Sequence, residues 1–428
     1  MTNNQLTVAI IGGGPVGMAA AAQLALKGKD FVLFEAGAEL GSNFLDYGHV
    51  RLFSTWRYNM DAAAKTLLKM HGESLPDEEG LPLGAEIVTE YLQPLGKLPE
   101  IEPHLHLNSK VVHISRSGLD KMKDQGREDH PFLIIVENGG VYQEFEAQAV
   151  IDATGTWKNP NPLISGGLPQ NNASVHSRLP DILNKDRAAF AGKKIAVAGS
   201  GHSAFNSILD LLELRKSAPE TEITWIVRGK IQPSLFGGGA ADQLAARGEL
   251  GARMKEIIDQ GGVNIVPECF IRKTDRNQDG QILLTASQKD AEQTIGPFDE
   301  VIANTGSRPD FSFLGEIRYA SDPSLESVSA LAPLIDPNVH SCGTVRPHGE
   351  KELRQPEKNF YIVGAKSYGR APTFLLATGY EQVRSVIAYL TGDNEASQRV
   401  ELSVPETGVC SSRPAPIELT GKPSAECC

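Results

Sequence analysis

The sequence predicts an α/β fold built on two Rossmann-like, doubly wound dinucleotide-binding units with a disordered C-terminal tail. Three observations predict it. Gly12, Gly14 and Gly17 form G-x-G-x-x-G between an apolar strand and a small-residue helix. Gly199, Gly201 and Ala204 repeat the pattern as G-x-G-x-x-A. Two later strands end in the Thr-Gly turns Thr154-Gly155 and Thr305-Gly306.

The first unit runs as strand, turn, helix, strand. Leu6 to Ile11 reads as a buried parallel strand, Met18 to Leu26 as a helix, and Phe31 to Phe34 as the second strand. At the turn, Gly12 supplies the tight bend, Gly14 lets a pyrophosphate reach the backbone, and Gly17 lets helix and strand approach. The helix N-terminus offers free N–H groups and a positive dipole end to phosphate oxygens. Glu35, at the end of the second strand and 23 residues after Gly12, is placed to accept hydrogen bonds from a ribose diol.

Bulk properties narrow the function. A length of 428 residues suits about two domains with full cores. The formal net charge of −12 argues against nucleic acid as a partner. The apolar stretch 8–26 is interrupted by glycines and lacks a basic flank, so it reads neither as a membrane span nor as a signal peptide. The expectation is a cytoplasmic enzyme. The five cysteines are Cys269, Cys342, Cys410, Cys427 and Cys428, with no C-x-x-C or C-x-x-x-x-C among them. The redox pair of a dithiol reductase is therefore missing from the sequence.

Between the two glycine turns, residues 36–60 form an excursion too long for an ordinary connection, which favours a ligand-covering loop. It carries Arg51, Phe53, Trp56, Arg57 and Asn59. Asp61 to Met70 and Gly84 to Leu95 read as helices. Leu105 to Leu107 and Val111 to Ile114 read as strands. Phe132 to Val136 and Val141 to Phe145 form a hairpin about Asn138-Gly139-Gly140. Val150 to Asp152 leads into Thr154-Gly155, and residues 158–162 are a linker by composition.

In the second unit, Lys194 to Ala198 and Glu222 to Val227 flank a helix from about Ala204 to Leu214, with His202 and Ser203 at the turn. Its second strand ends in Arg228, not an acid. A cation there suits a 2′-phosphate and favours NADP over NAD. A helix at about 243–259, strands at 264–267, 282–286 and 298–302, and an irregular segment 311–358 follow. Phe360 to Gly364 is a last strand, Thr373 to Leu390 a helix, and residues 393–428 read as disordered.

Together these motifs resemble the two-dinucleotide-binding-domain flavoproteins over residues 6–392, and within them the class B flavin-containing monooxygenases. The resemblance implies FAD in residues 1–158 and 335–392, NADPH in an inserted domain 159–334, and a flexible cysteine-bearing tail 393–428. It implies FAD contacts at Gly12, Gly14, Pro15, Gly17, Glu35, Arg51, Trp56, Thr154 and Gly155, with Val112 near the adenine and Gly364 near the flavin. It implies NADPH contacts at Gly199, Gly201, His202, Ser203, Arg228, Thr305 and Gly306. The stretch Phe53-Ser54-Thr55-Trp56-Arg57-Tyr58-Asn59 resembles the aromatic, asparagine-bearing stretch of those monooxygenases. By that analogy Asn59 is the catalytic candidate. The fingerprint F-x-G-x-x-x-H-x-x-x-W is not intact: His176 remains, with Gln170 and Pro180 at the flanking positions.

In such a family the cofactors carry the hard chemistry. NADPH gives hydride to the flavin, O2 adds at flavin C4a, and the resulting hydroperoxide oxygenates a small soft nucleophile bearing N, S or a metalloid. Alternatives are a reductase that passes electrons to a thiol, quinone or metalloid, and a non-enzymatic flavoprotein or metal-binding module. Cys410 and the terminal pair Cys427-Cys428 are candidate soft ligands for a metal or trivalent arsenic. Tails of that kind resemble those of arsenic-detoxification proteins.

Overall fold

The computed structural model describes residues 7–164, 166–168, 172–288, 291–339 and 348–402. Two five-stranded parallel sheets carry it. In the first, the strand Val8–Ile11 sits centrally between Phe31–Phe34 and Ala149–Asp152. Leu105–His106 forms one edge, and the C-terminal strand Phe360–Ile362 returns to the other, beside Ala149–Asp152. In the second sheet, Lys194–Ala198 lies between Glu222–Ile226 and Glu300–Ala303, with Asn264–Val266 and Val175–His176 at the edges. The chain thus leaves the first sheet after Asp152, builds the second, and comes back.

Parallel strands need crossover connections and buried faces. All four residues of Val8–Ile11 and of Ala149–Asp152 are buried. Helix Pro15–Leu26 covers the first sheet with a run of fully buried alanines, Ala19 to Ala22. Helix Leu376–Leu390 packs on that helix, with Val383, Val386 and Ile387 at 0% exposure. The helix begins at Leu376 rather than at Thr373.

Each parallel sheet is accompanied by a three-stranded antiparallel meander: Lys110–Arg116, Phe132–Asn138, Val141–Ala147, and Cys269–Arg276, Ile282–Gln288, Ala291–Phe298. The outer strands of the second meander escape sequence reading. Cys269–Arg276 carries Arg272, Lys273, Asp275 and Arg276, because most of it faces solvent and only Cys269 and Ile271 reach the core.

Three further expectations are corrected. The stretch 84–96 is helical, but its centre, Ile87–Leu92, is wound as a π-helix. The segment 36–60 contains two one-turn helices, Ser42–Leu45 and Trp56–Asn59. Disorder does not start at 393: Asp393 caps a short helix, Asn394–Gln398, by accepting from the Ala396 amide at 3.0 Å, and Arg384 donates to the Ala396 carbonyl at 2.9 Å. The cysteines Cys410, Cys427 and Cys428 lie outside the described residues.

The crossing between the sheets is itself hydrogen-bonded. Asn161 Nδ2 donates to the Thr305 carbonyl (3.1 Å), and Thr305 Oγ1 donates to the Asn161 carbonyl (2.7 Å). Asn159 Nδ2 donates to the Pro309 carbonyl (3.0 Å). The predicted linker is thus one half of a paired crossing. Far from it, Glu357, Arg116 and Arg127 form a buried triad that ties the first meander to the returning chain (Arg116 Nε to Glu357 Oε1 2.9 Å; Arg127 Nη2 to Glu357 Oε2 2.8 Å). Burial pushes the Glu357 carboxyl up, but hydrogen bonds from Arg127 and Arg116 outweigh it and hold the pKa below the usual range.

Candidate active site

A cavity of about 610 Å³ opens at the C-terminal ends of the first sheet's strands, where open α/β sheets bind ligands. Its walls include the first turn and second strand (Ile11, Gly12, Phe34, Glu35), the excursion (Ser42, Asn43), the start of the first meander (Lys110, Val111), the Thr-Gly turn with the crossing (Thr154, Gly155, Lys158, Asn159), and Asp310 with Phe313.

The glycines of the turn do three different things. Gly12 has φ +104°, and a Cβ there would press on the Ala153 carbonyl. A Cβ on Gly17 would collide with the Gly12 carbonyl, so this glycine serves helix–strand packing. A Cβ on Gly14 would meet nothing within 4 Å. Gly14 faces open space at the N-terminus of helix Pro15–Leu26, the shape a diphosphate requires.

Glu35 is 7% exposed. Its Oε2 accepts from the Gly13 amide (2.7 Å), and its Oε1 accepts from the Gly37 amide (2.7 Å) and from Ser42 Oγ (2.9 Å). A carboxylate has about four acceptor sites, so one on Oε2 is left for a ribose hydroxyl. Val111, not Val112, lines the adjoining wall. The open cradle, the cavity and the remaining acceptor fit the ADP half of FAD.

The second turn is built alike. Gly199 (φ +137°) packs on the Asn304 backbone, and a Cβ on Gly201 would meet nothing within 4 Å. Helix His202–Arg215 starts at once after it. Trp225, fully buried, donates its indole N–H to the Gly199 carbonyl (2.7 Å) and braces the turn. Ser203 is half-buried on the first turn of the helix and Arg228 is exposed beyond the second strand. The His202 ring lies 5.1 Å from that of Phe53. Surrounding protein, then the nearby Arg247 charge, hold its pKa below the ordinary value, against the pull of Asp242. Arg247 is itself gripped by Asp242 through two 2.8 Å hydrogen bonds.

Other sequence candidates are placed elsewhere. Asn59 is 1% exposed: its Nδ2 donates to the Ser54 carbonyl (2.7 Å), and its Oδ1 accepts from Ser54 Oγ (2.9 Å). That amide closes its own loop. Trp56 is buried in the core beside it, and exposed Arg51 donates to the Leu81 carbonyl; neither lines the cavity. Gly364 (φ +68°) packs against Val16 and donates its N–H to Gln382 Oε1 (2.7 Å), away from the cavity walls. Thr305 and Gly306 belong to the crossing. His176 sits on an edge strand 2.8 Å from Glu300 Oε2.

Sequence reading missed Lys366. Its ammonium, at 0% exposure, lies 2.6 Å from Asp152 Oδ2 and 3.2 Å from Thr154 Oγ1, over the rings of Phe313 (4.4 Å) and Phe311 (5.3 Å). Thr154 and Phe313 both line the cavity. The lysine stands two residues after Gly364, the residue that the resemblance puts near the flavin. Its partners are more than 200 residues away in the chain, and no local pattern marks it.

Comparison with known proteins decides the family: residues 9–330 match the model of the pyridine nucleotide-disulphide oxidoreductases. The chain belongs to that family. It is an oxidoreductase that works with a pyridine nucleotide. No curated protein sequence matches it. Solved structures share the oxidoreductase fold over most of their length. One is the bacillithiol disulfide reductase Bdr (YpdA) from Bacillus cereus (19% identity, 92% of this chain and 100% of that one, TM-score 0.65). Another is an ornithine N-hydroxylase from Kutzneria sp. 744 (16% identity, 90% and 99%, TM-score 0.61). A third is a variant flavin monooxygenase from Stenotrophomonas maltophilia (22% identity, 90% and 99%, TM-score 0.54). Among the described residues no helix is long and apolar enough to cross a membrane, and no cluster of side chains suits a metal.

Proposed function

We propose that this oxidoreductase is a monooxygenase: it takes reducing equivalents from NADPH and uses O2 to oxygenate a small soft nucleophile bearing N, S or trivalent arsenic. In this reading residues 1–158 and 335–392 hold FAD, and residues 159–334 hold NADPH. The first turn, with Gly14 and Glu35, receives the ADP half of FAD. The second, with Gly201, His202, Ser203 and Arg228, receives NADPH. Bound flavin supplies hydride acceptance and O2 activation. The chain's own residues orient the two dinucleotides and keep water from the reacting atoms.

The observation that carries the reading is the distribution of thiols. Residues 1–268 contain no cysteine at all. Cys269 is 1% exposed in the second meander, and burial pushes its thiol pKa up, which makes it a poor nucleophile. Among the described residues, a dithiol relay beside the first cavity therefore lacks its residues. The terminal pair Cys427-Cys428 favours a second reading, in which electrons leave through the tail to a thiol or metalloid acceptor.

Stopped-flow absorbance separates the two. The enzyme is reduced anaerobically with NADPH and mixed with O2. A transient species between the reduced and oxidised spectra, whose decay quickens with an added amine, thioether or arsenite, is the expected result. Direct return to oxidised flavin with stoichiometric H2O2, together with loss of turnover on removing residues 403–428, would establish the reductase instead.

A further inference from the structure

One carboxylate ties together two of the segments that line the first cavity. Asp46 follows the short helix Ser42–Leu45. Its Oδ2 accepts from Trp157 Nε1 at 2.9 Å, Lys158 Nζ at 2.6 Å and Arg178 Nη1 at 3.0 Å. Ser42 and Asn43 of the excursion line the cavity, and so do Lys158 and Asn159 of the crossing. Asp46 thus bridges two lining segments that are far apart in the chain. The same helix is tied to the cavity floor, since Ser42 Oγ donates to Glu35 Oε1 at 2.9 Å. Arg178 follows the edge strand Val175–His176, so the second sheet joins the bridge.

Aromatic contacts back the polar ones. The Tyr47 and Trp157 rings lie 4.5 Å apart, and Phe44 and Tyr47 lie 5.2 Å apart. A single exposed ion pair is worth little. Here three donors converge on one oxygen whose side chain is 27% exposed, and a tilted contact between the Tyr47 and Trp157 rings holds the same two segments together. Partial burial works against the carboxylate, but hydrogen bonds from Lys158 and Trp157 outweigh it and keep the pKa below the usual range.

We propose that Asp46 is a positioning residue that clasps the excursion to the crossing over the bound dinucleotide and sets how fast that dinucleotide leaves. The proposal rests on the reading that FAD occupies this cavity. The excursion and the crossing both line the cavity, and Asp46 is a point at which they are joined. None of the three donors is part of the glycine turn, so the clasp controls release without forming the cradle.

The test uses full-length holoenzyme and follows the rise of free-flavin fluorescence after dilution. Wild type is compared with Asp46→Asn, Asp46→Ala, Lys158→Gln and Asp46→Asn/Lys158→Gln, each at low and high salt. The expected result is release at least tenfold faster in Asp46→Ala. The double variant should release no faster than the faster single variant. Wild-type release should quicken with salt, and that dependence should shrink in the Asp46 variants, a signature that loss of packing alone would not give. Release within twofold of wild type in Asp46→Ala, or fully additive effects in the double variant, overturns the clasp while leaving FAD binding intact. Failure of the wild-type protein to hold FAD at all overturns the cofactor reading, and the clasp with it.

Discussion

The imidazole of His202 lies against the ring of Phe53, centroids 5.1 Å apart, and joins the excursion of the first unit to the turn of the second. Arg247 stands 6.0 Å over the opposite partner, Phe53. The contact sits at the N-terminus of helix His202–Arg215, where the second turn presents its amides. Phe53 therefore packs the excursion against the second glycine turn. Phe53→Ala is expected to slow flavin reduction by NADPH about tenfold, since small misalignments of reacting groups are costly, with FAD affinity unchanged. Rapid-mixing reduction traces and flavin titrations check it; an unaltered reduction rate would refute it.

Gly14 and Gly17 should fail in opposite ways. Gly17→Ala drives a methyl into the Gly12 carbonyl and is expected to destabilise the apo-protein by several kcal/mol. Gly14→Ala adds a methyl that touches no protein atom within 4 Å, at an extended backbone position with φ −79°. Its apo-protein should melt within a degree or two of wild type yet bind FAD far more weakly. Differential scanning of apo-protein and a flavin titration give both numbers. Normal FAD affinity in Gly14→Ala would mean the diphosphate lies elsewhere.

Lys366 and Asp152 are each other's counter-charge at a fully buried site. Lys366→Met leaves the Asp152 carboxylate buried and unpaired, and a loss of about 3–5 kcal/mol is expected. Asp152→Asn/Lys366→Met removes both charges and should recover most of it. Urea unfolding of the apo-proteins measures the difference; a single variant within 1 kcal/mol of wild type would show that the pair is not needed for the fold.

Asp61 gives a pH signature. Burial pushes its carboxyl pKa up to about 6, against stabilising hydrogen bonds from the Ala64, Ala63 and Ala62 amides. The folded state therefore holds a proton that the unfolded state has released between about pH 4 and 6, and stability falls as pH rises through that window. Asp61→Asn keeps the helix cap and removes the buried charge. It should be more stable than wild type at pH 8 by on the order of 1–3 kcal/mol, and level with it near pH 4. Denaturant midpoints across this range decide; a variant weaker at pH 8 contradicts the account.

What the sequence by itself determined is the local machinery. Gly12, Gly14 and Gly17, then Gly199, Gly201 and Ala204, declare the two turns because close backbone approach tolerates few residues and the strand and helix patterns flank them at fixed spacing. Glu35 and the Thr-Gly turns follow from the same spacing. What only the tertiary structure decided are relationships between distant segments: Lys366 with Asp152 across 214 residues, Arg116 with Glu357 across 241, and Asp46 with Arg178 across 132. Those charges leave no periodic trace, since each has its partner only once the two sheets and the crossing are in place. The placement of Asn59 belongs here too. Its residue type suited a flavin contact, but the fold spends its amide on Ser54, because a buried polar group takes the nearest partner that satisfies it.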